Sequence, residues 1–436
     1  MKESGRLSGA IEVLENFEAQ HVPLKICLTD WGRAHRFAGS GDRSWISSLC
    51  HDVVRRRQSL ASQMQDDTPR AACLAALRWG WGWDAEHLAG VAAEEPHGPG
   101  ALTAEEQYAL ETDGHIDAAD TAYRADLPAW LLSDFAVEEA ALVPEGQAIA
   151  ARAPIDLRAN TLKADTEKVL KSLSKINAQP AAFIQTALRI APPEAQQKSP
   201  ALDAMPAFAK GWVEVQDLGS QLAALAVGDV AGKQILDYCA GAGGKTLALA
   251  ALSGNSGQVF AWDVEPRRLA PLYERIRRAG TRNVQVRSPA DGATLDDLTQ
   301  KMDVVFVDAP CSGSGTWRRK PDAKWRLTSA QLAKRHAQQD DALATASQFV
   351  KPGGLLVYVT CSIISSENRT RVDHFLQTHT DFQESDALAQ MQQSGLLKDD
   401  AAENLRLCLS LTGSLQLTPY RTNTDGFFIS TLFKKG

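Results

Sequence analysis

The chain has 436 residues, 46 Lys+Arg against 53 Asp+Glu for a net charge of −7, and seven cysteines. That length exceeds one ordinary hydrophobic core and calls for two or three domains, and 44% apolar with 23% charged residues excludes a disordered or fibrous chain. Apolar runs are strand-length and polar-interrupted, which argues against a membrane span, and Glu3, Glu12, Glu15 and Glu18 argue against a secretory signal.

Residues 1–150 read as an all-helical domain. Leu7, Ile11, Leu14 and Phe17 recur at helical spacing, as do Trp45, Ile46, Leu49 and Val53 before Arg55, Arg56 and Arg57. Further helices are expected over about 71–91 and 126–143, with a loop around Pro96–Gly100. This domain holds 12 Lys+Arg and 24 Asp+Glu, against 34 and 29 in residues 151–436. Its acid is densest from Asp84 to Asp120, where ten carboxylates meet no Lys or Arg. The split predicts two functional regions rather than one uniform surface, the second carrying an excess of cations.

Residues 151–212 read as a small connecting α+β subdomain, with an extended segment over 154–162, a helix over 164–176 and a Pro-rich connection at 192–206. Residues 213–436 change character. Short apolar runs at 235–238, 258–262, 284–287, 304–307 and 355–359 alternate with helical patterns at 216–229, 244–252, 265–279 and 328–350. Strands buried on both faces, with helices between them, predict an α/β domain on a largely parallel sheet. Phe427–Phe433 reads as a late edge strand.

The first of these strands runs into Cys239-Ala240-Gly241-Ala242-Gly243-Gly244-Lys245-Thr246. Small residues past a strand let a ligand approach the backbone. A phosphate-binding P-loop needs glycine where Cys239 stands, and a dinucleotide motif begun at Gly241 needs glycine where Thr246 stands. A ligand with an adenosine half but no pyrophosphate suits the turn better. Asp263, about twenty residues on, is placed to accept hydrogen bonds from ribose hydroxyls. Asp291, after the third strand, is a candidate for an adenine amine.

The cysteines lie at 27, 50, 73, 239, 311, 361 and 408, with no CxxC pair. That pattern excludes a zinc finger and fits a reducing, cytoplasmic setting. Cys311 follows Val307-Asp308-Ala309-Pro310 at the end of the fourth strand, and Cys361 follows Val359-Thr360 at the end of the fifth. Both are projected toward the crevice where open parallel sheets bind ligands.

Three stretches, 235–246, 303–316 and 352–368, resemble the Sun-type (Fmu) RNA cytosine carbon-5 methyltransferases. The anchors are Asp308-Ala-Pro-Cys-Ser-Gly313, Tyr358-Val-Thr-Cys-Ser362 and Glu367-Asn368. Leu157–Leu162, Val215–Asp217, Arg319–Trp325 and Asp425–Phe428 agree, so the resemblance spans about 155–434. The start of the chain, through Gly41–Arg43 and Asp52–Arg56, resembles the NusB-like helical domain of the bacterial small-subunit rRNA type. One departure is Ala242, where the family often has proline; the glycine turn survives without that fixed φ.

The resemblance implies a Rossmann-like methyltransferase core and S-adenosyl-L-methionine as cofactor. The 239–244 turn, Lys245, Asp263, Arg268, Asp291 and Asp308 would bind it. Cytosine carbon 5 is a poor nucleophile, and a thiolate added at carbon 6 makes it enamine-like, so covalent catalysis divides one hard step into easier ones. Cys361 is implied as that nucleophile, Cys311 as the group that assists product release, and Asp308 as the residue on the cytosine edge, with Lys245 orienting it. Small-subunit rRNA is the implied substrate. Transfer RNA or large-subunit rRNA, and a ribosome-assembly factor of another class, stay open.

Trp317–Arg326, with five cations and two tryptophans beside the catalytic loop, reads as an RNA grip. Arg158 and Asn160 are implied as part of an RNA-contacting region. A monomer without metal or membrane contact is expected.

Overall fold

The computed structural model describes residues 1–112, 120–195, 197 and 200–436. The 113–119 part of the acidic stretch lies outside them. The chain forms two compact units, one of residues 1–152, 193–199 and 317–327, the other of 153–192, 200–316 and 328–436.

The first unit is helical. Helices Glu3–Gln20 and Ser40–Arg55 face each other through Leu7, Leu14 and Phe17 on one and Ile46, Leu49 and Val53 on the other, all buried. The expected helix over 71–91 is interrupted. Pro69–Ala75, capped by the Thr68 hydroxyl, widens into a π turn at Ala76–Gly80, and Gly82 at φ 76° breaks the path before Ala85–Ala93. No helix fills 126–143 either. Thr121–Ala125 ends at Asp126 with φ 52°, short 3-10 turns follow Pro128 and Glu138, and a helix resumes at Leu142–Ala150.

Segment 317–327 belongs to this helical unit, which corrects the RNA-grip reading. Trp317, Arg318, Asp322 and Lys324 are buried, and only Lys320 among the strip's cations is fully exposed. A helix leaves its last carbonyls without intrahelical donors. Here Trp325 Nε1 donates to Val54 O at 2.7 Å and Lys324 Nζ to Arg55 O at 3.0 Å, so the strip caps the end of helix Ser40–Arg55. Burial pulls the Lys324 ammonium down to about 8. Counted by unit, the helical body carries 19 Lys+Arg against 26 Asp+Glu and the other 27 against 27. The excess of cations expected for the catalytic body is therefore absent.

The second unit contains two sheets. In the smaller, β1 (Ile155–Ala159), β2 (Gln179–Pro180), β3 (Ala187–Ile190) and β4 (Val213–Val215) take the order β2-β3-β1-β4, all antiparallel. It has its own core of Leu157, Val169, Leu188, Ile190 and Val213. Arg158 and Asn160 are buried in it rather than presented to a ligand. Arg158 Nε donates to Gln216 at 2.8 Å, and Asn160 Nδ2 donates to Gly211 O and Ala279 O, both at 2.8 Å.

The larger sheet comprises β5 (Gln234–Asp237), β6 (Gln258–Trp262), β7 (Val284–Arg287), β8 (Met302–Asp308), β9 (Val350–Thr360), β10 (Phe382–Ser385), β11 (Leu415–Leu417) and β12 (Phe427–Lys434). Its order is β10-β12-β9-β8-β5-β6-β7, parallel from β7 through β9, with β11 paired to β12. Strand side chains alternate between faces. Val304 and Phe306 accordingly enter one apolar cluster with Leu222 and Leu249, while Val305 and Val307 enter another with Leu343 and Phe375. The last strand is not at the edge. β12 lies antiparallel between β9 and β10, with Ile429 opposite Val359 and Glu384 opposite Leu432. Its buried Ser430 and Thr431, which make the run look half-solvated, donate to Glu384 and to Ser385 O. No helix among the described residues is long and apolar enough to cross a membrane.

Candidate active site

β5 lies where the strand order reverses, with β6 on one side and β8 on the other, and ligands of open parallel sheets bind beyond the carboxyl ends at such a point. The turn that leaves β5 is shaped by backbone geometry. Gly241 and Gly243 have φ of 51° and 84°, and a Cβ on Gly243 would stand 2.1 Å from Leu272 Cδ1. Ala242, in place of proline, leaves the turn closed, with Gly243 N donating to Ala240 O at 2.9 Å and Arg275 Nη1 donating to Ala242 O at 2.7 Å.

Asp263 holds this turn to β6. Its carboxylate accepts the N–H groups of Gly241 and Glu265, each at 2.9 Å, and pairs with Arg268 at 3.1 Å. Only 1% of Asp263 is exposed. Both oxygens are thus engaged by protein groups, while Arg268 and Glu265 stand exposed at the same strand end. Asp291 is exposed at the end of the turn Pro289–Asp291. Cys239 is partly exposed, and burial, followed by the charges of Asp263, Asp308 and Asp237, pushes its thiol up.

Asp308 ends β8, and Lys245 Nζ donates to its Oδ2 at 2.7 Å. Lys245 comes from the first turn of helix Gly244–Leu252 and so joins the glycine turn to the acid. Burial alone would lower the ammonium's pKa. The charge and hydrogen bond of Asp308, with smaller contributions from Cys361 and Asp237, outweigh that and raise it.

Beneath this pair lies Asp237, fully buried at the end of β5, a residue that motif reading passed over. Its Oδ2 accepts from Thr246 Oγ1 at 2.6 Å and its Oδ1 has no hydrogen-bond partner. Burial pushes this carboxyl up to about 7; the Thr246 hydrogen bond opposes the rise and the charge of Asp308 adds to it.

The two candidate thiols meet. Strands β8 and β9 are parallel neighbours with Asp308 opposite Val359, which puts the residues after each strand side by side. Cys311 Sγ lies 3.4 Å from Cys361 Sγ, and both side chains are partly exposed. The hydrogen bond to Cys361, then burial, then the charges of Cys361 and Glu367 push the Cys311 thiol well above the ordinary range.

Glu367, quoted in the sequence as a motif anchor without a task, organises both loops. Fully buried, it accepts from Ser312 N at 2.7 Å, Ser312 Oγ at 2.5 Å, Ser362 Oγ at 2.6 Å and Gln339 Nε2 at 3.2 Å. Asn368 completes the hold. Its Nδ2 donates to Ser362 O at 2.9 Å and its Oδ1 accepts from Thr360 at 2.6 Å. The sequence signal for this clamp was present, a serine after each cysteine and an acid-amide pair downstream. What a linear reading lacks is that one carboxylate reaches both serines.

Residues 224–433 match the family described as 16S rRNA methyltransferase RsmB/F. A probable ribosomal RNA small subunit methyltransferase B from Synechocystis sp. is 33% identical over 290 residues, 64% of this chain and 60% of that protein. The matched part spans about half to three-fifths of the curated relatives' length. Among solved structures, PH0851 covers 100% of this chain and 99% of its own with a TM-score of 0.70 at 23% identity. A methyltransferase homolog protein from Pyrococcus horikoshii covers 72% and 98% with 0.56 at 24%. At such identities these two speak for the fold alone, a Rossmann-like α/β sheet. The strand order agrees with the sequence match, and over residues 224–433 the chain resembles the RsmB/F methyltransferase family.

Proposed function

We propose that the protein transfers a methyl group from S-adenosyl-L-methionine to carbon 5 of a cytosine in small-subunit rRNA, through a covalent bond between Cys361 and the base. The observation that carries this reading is the pair of thiols 3.4 Å apart, at the ends of adjacent strands and in the same site as the Lys245–Asp308 pair.

The residues of the 239–244 turn fit the cofactor. Small residues past the strand end keep side chains out of the ligand's path, and Arg268, Glu265 and Asp291 supply exposed polar groups around the turn. When bound, the cofactor supplies an electrophilic methyl on a sulfonium. The rest of the chemistry falls to the chain's own side chains.

Cys361 forms a bond from Sγ to carbon 6, and the electron pair displaced from the ring double bond makes carbon 5 nucleophilic. Asp308 hydrogen-bonds the cytosine edge, with Lys245 beside it to balance the charge that develops there. After carbon 5 has gained its methyl, a base removes the carbon-5 proton and the Sγ–carbon 6 bond breaks, returning the thiolate and restoring the aromatic ring. Cys311 suits that second duty. The largest cause of its raised pKa is its hydrogen bond to Cys361, with the Cys361 charge behind it. Both weaken once Cys361 is bonded to carbon, so formation of the adduct itself makes Cys311 easier to ionise. A cytosine must leave any stacked duplex to reach this position.

The test is a pair of variants with RNA and cofactor. Cys311→Ala accumulates a protein–RNA adduct that survives denaturing electrophoresis, and Cys361→Ala forms none and transfers no methyl. Absence of an adduct from Cys311→Ala at normal turnover overturns the assignment. Bisulfite mapping of cellular RNAs with and without the gene then names the target, and a signal confined to transfer or large-subunit RNA displaces small-subunit rRNA as the substrate.

A further inference from the structure

Two thiols 3.4 Å apart on adjacent loops are close to interchangeable by position. Their neighbours are not. Lys245, the cation of the site, interacts electrostatically with Cys361 as well as with Asp308 and Asp237. Glu367, the buried anion, is hydrogen-bonded to both N–H and hydroxyl of Ser312, the residue next to Cys311, and its charge acts on the Cys311 thiol. It also holds Ser362, next to Cys361, but by the hydroxyl alone. The field of a charge in so dry a site is little screened. Tyr358, whose hydroxyl donates to Glu367 O at 2.8 Å, is pushed well up by burial and by the nearby anionic groups, so it adds no charge.

We propose that Glu367 is a positioning residue that assigns the two cysteines their separate duties, by fastening both loops through Ser312 and Ser362 and setting its charge against the Cys311 side of the pair. The clamp holds the two sulfurs side by side, and two hydrogen bonds to Ser312 against one to Ser362 tie the anion more closely to the Cys311 loop. This builds on the function proposed above, but it concerns the resting protein and needs neither RNA nor cofactor.

The test is competitive alkylation of the intact protein with limiting iodoacetamide at pH 7.5, with the two cysteines quantified separately by peptide mass spectrometry. In the wild type Cys361 is labelled well ahead of Cys311. Glu367→Gln keeps the shape and removes the charge. A change of one unit in thiol ionisation is about tenfold in thiolate fraction, and the Cys361-to-Cys311 labelling ratio is expected to fall by about that factor. Ser312→Ala keeps the charge but loosens its hold on the Cys311 loop, and the ratio falls about two- to threefold by the same reasoning. An unchanged ratio in a folded Glu367→Gln, judged by its circular dichroism spectrum, overturns the proposal. If that variant does not fold, an unchanged ratio in Ser312→Ala overturns it equally. Equal labelling of the two thiols in the wild type also overturns it. A protein that shows the labelling asymmetry but transfers no methyl to any RNA would refute the proposed function and leave this inference standing.

Discussion

Replacing Asp237 by asparagine should change the pH dependence of stability in a direction fixed by its burial. The carboxyl is pushed up to about 7 in the folded protein, whereas an unfolded chain gives it about 3.9. Between those values the unfolded chain has released a proton that the folded chain keeps, so the folded state binds more protons and stability falls as pH rises. Below about pH 4 both states are protonated and nothing is lost; above about pH 7 the loss is complete. From pH 5 to pH 8 the contribution of this one group amounts to about 2–3 kcal/mol. Asparagine has the shape of the neutral acid and keeps an acceptor for the Thr246 hydroxyl. The stability of Asp237→Asn relative to wild type, measured by urea unfolding at fixed ionic strength, should therefore rise by about 2–3 kcal/mol across that interval. Taking the difference between the two proteins cancels the other titrating groups. Parallel pH profiles would show that Asp237 titrates normally, and an opposite slope would show that it is held ionised. Either result refutes the picture of a neutral acid beneath Lys245 and Asp308.

Two further outcomes follow from groups that the structure moved out of the RNA-binding role. Asn160→Ala removes the donor to two buried carbonyls and should cost about 2–3 kcal/mol in chemical denaturation while leaving RNA affinity unchanged in filter binding. Lost affinity at unchanged stability would instead return Asn160 to an RNA contact. Trp325→Phe keeps the ring and removes the N–H that caps Val54 O, with an expected loss of about 1–2 kcal/mol in thermal unfolding of the helical unit; no loss would mean that the carbonyl finds another donor.

How much of this was legible in the sequence depends on what kind of information each element carries. The parallel strands were legible because burial on both faces leaves an almost uninterrupted apolar run, as at Val304–Val307, and helix Gly244–Leu252 has the bounds its pattern predicts. β12 reads as an edge strand in the sequence, and its Ser430 and Thr431 are compatible with that reading. Their hydroxyls are satisfied by β10, and a linear pattern cannot distinguish a satisfied buried hydroxyl from a wet one. The helix expected at 126–143 failed on backbone grounds: Asp126 turns left-handed and Pro128 follows at once. The glycine turn and both cysteines were legible as a site because each stands at a strand's carboxyl end, where the topology must gather them.

The cation strip at 317–326 exposes the limit of arguing from neighbours along the chain. Its five positive charges follow the catalytic loop directly, so a count by position credits them to the catalytic body. In space they belong to the helical unit, where Lys324 and Trp325 cap a helix end and Arg318 is buried. Recounted by unit, the contrast of −12 against +5 becomes −7 against 0. A second unit of zero net charge offers no net-charge attraction with which to gather RNA. Under the proposed function, affinity for RNA then comes from short-range contacts to the flipped base and the adjacent backbone, and the salt dependence of binding should report few phosphate contacts. A slope of log affinity against log salt of about −2 to −3 corresponds to two or three neutralised phosphates. A slope steeper than about −6 would require a phosphate-binding surface larger than this charge balance supplies, and it would return the burden of RNA recognition to a cationic face.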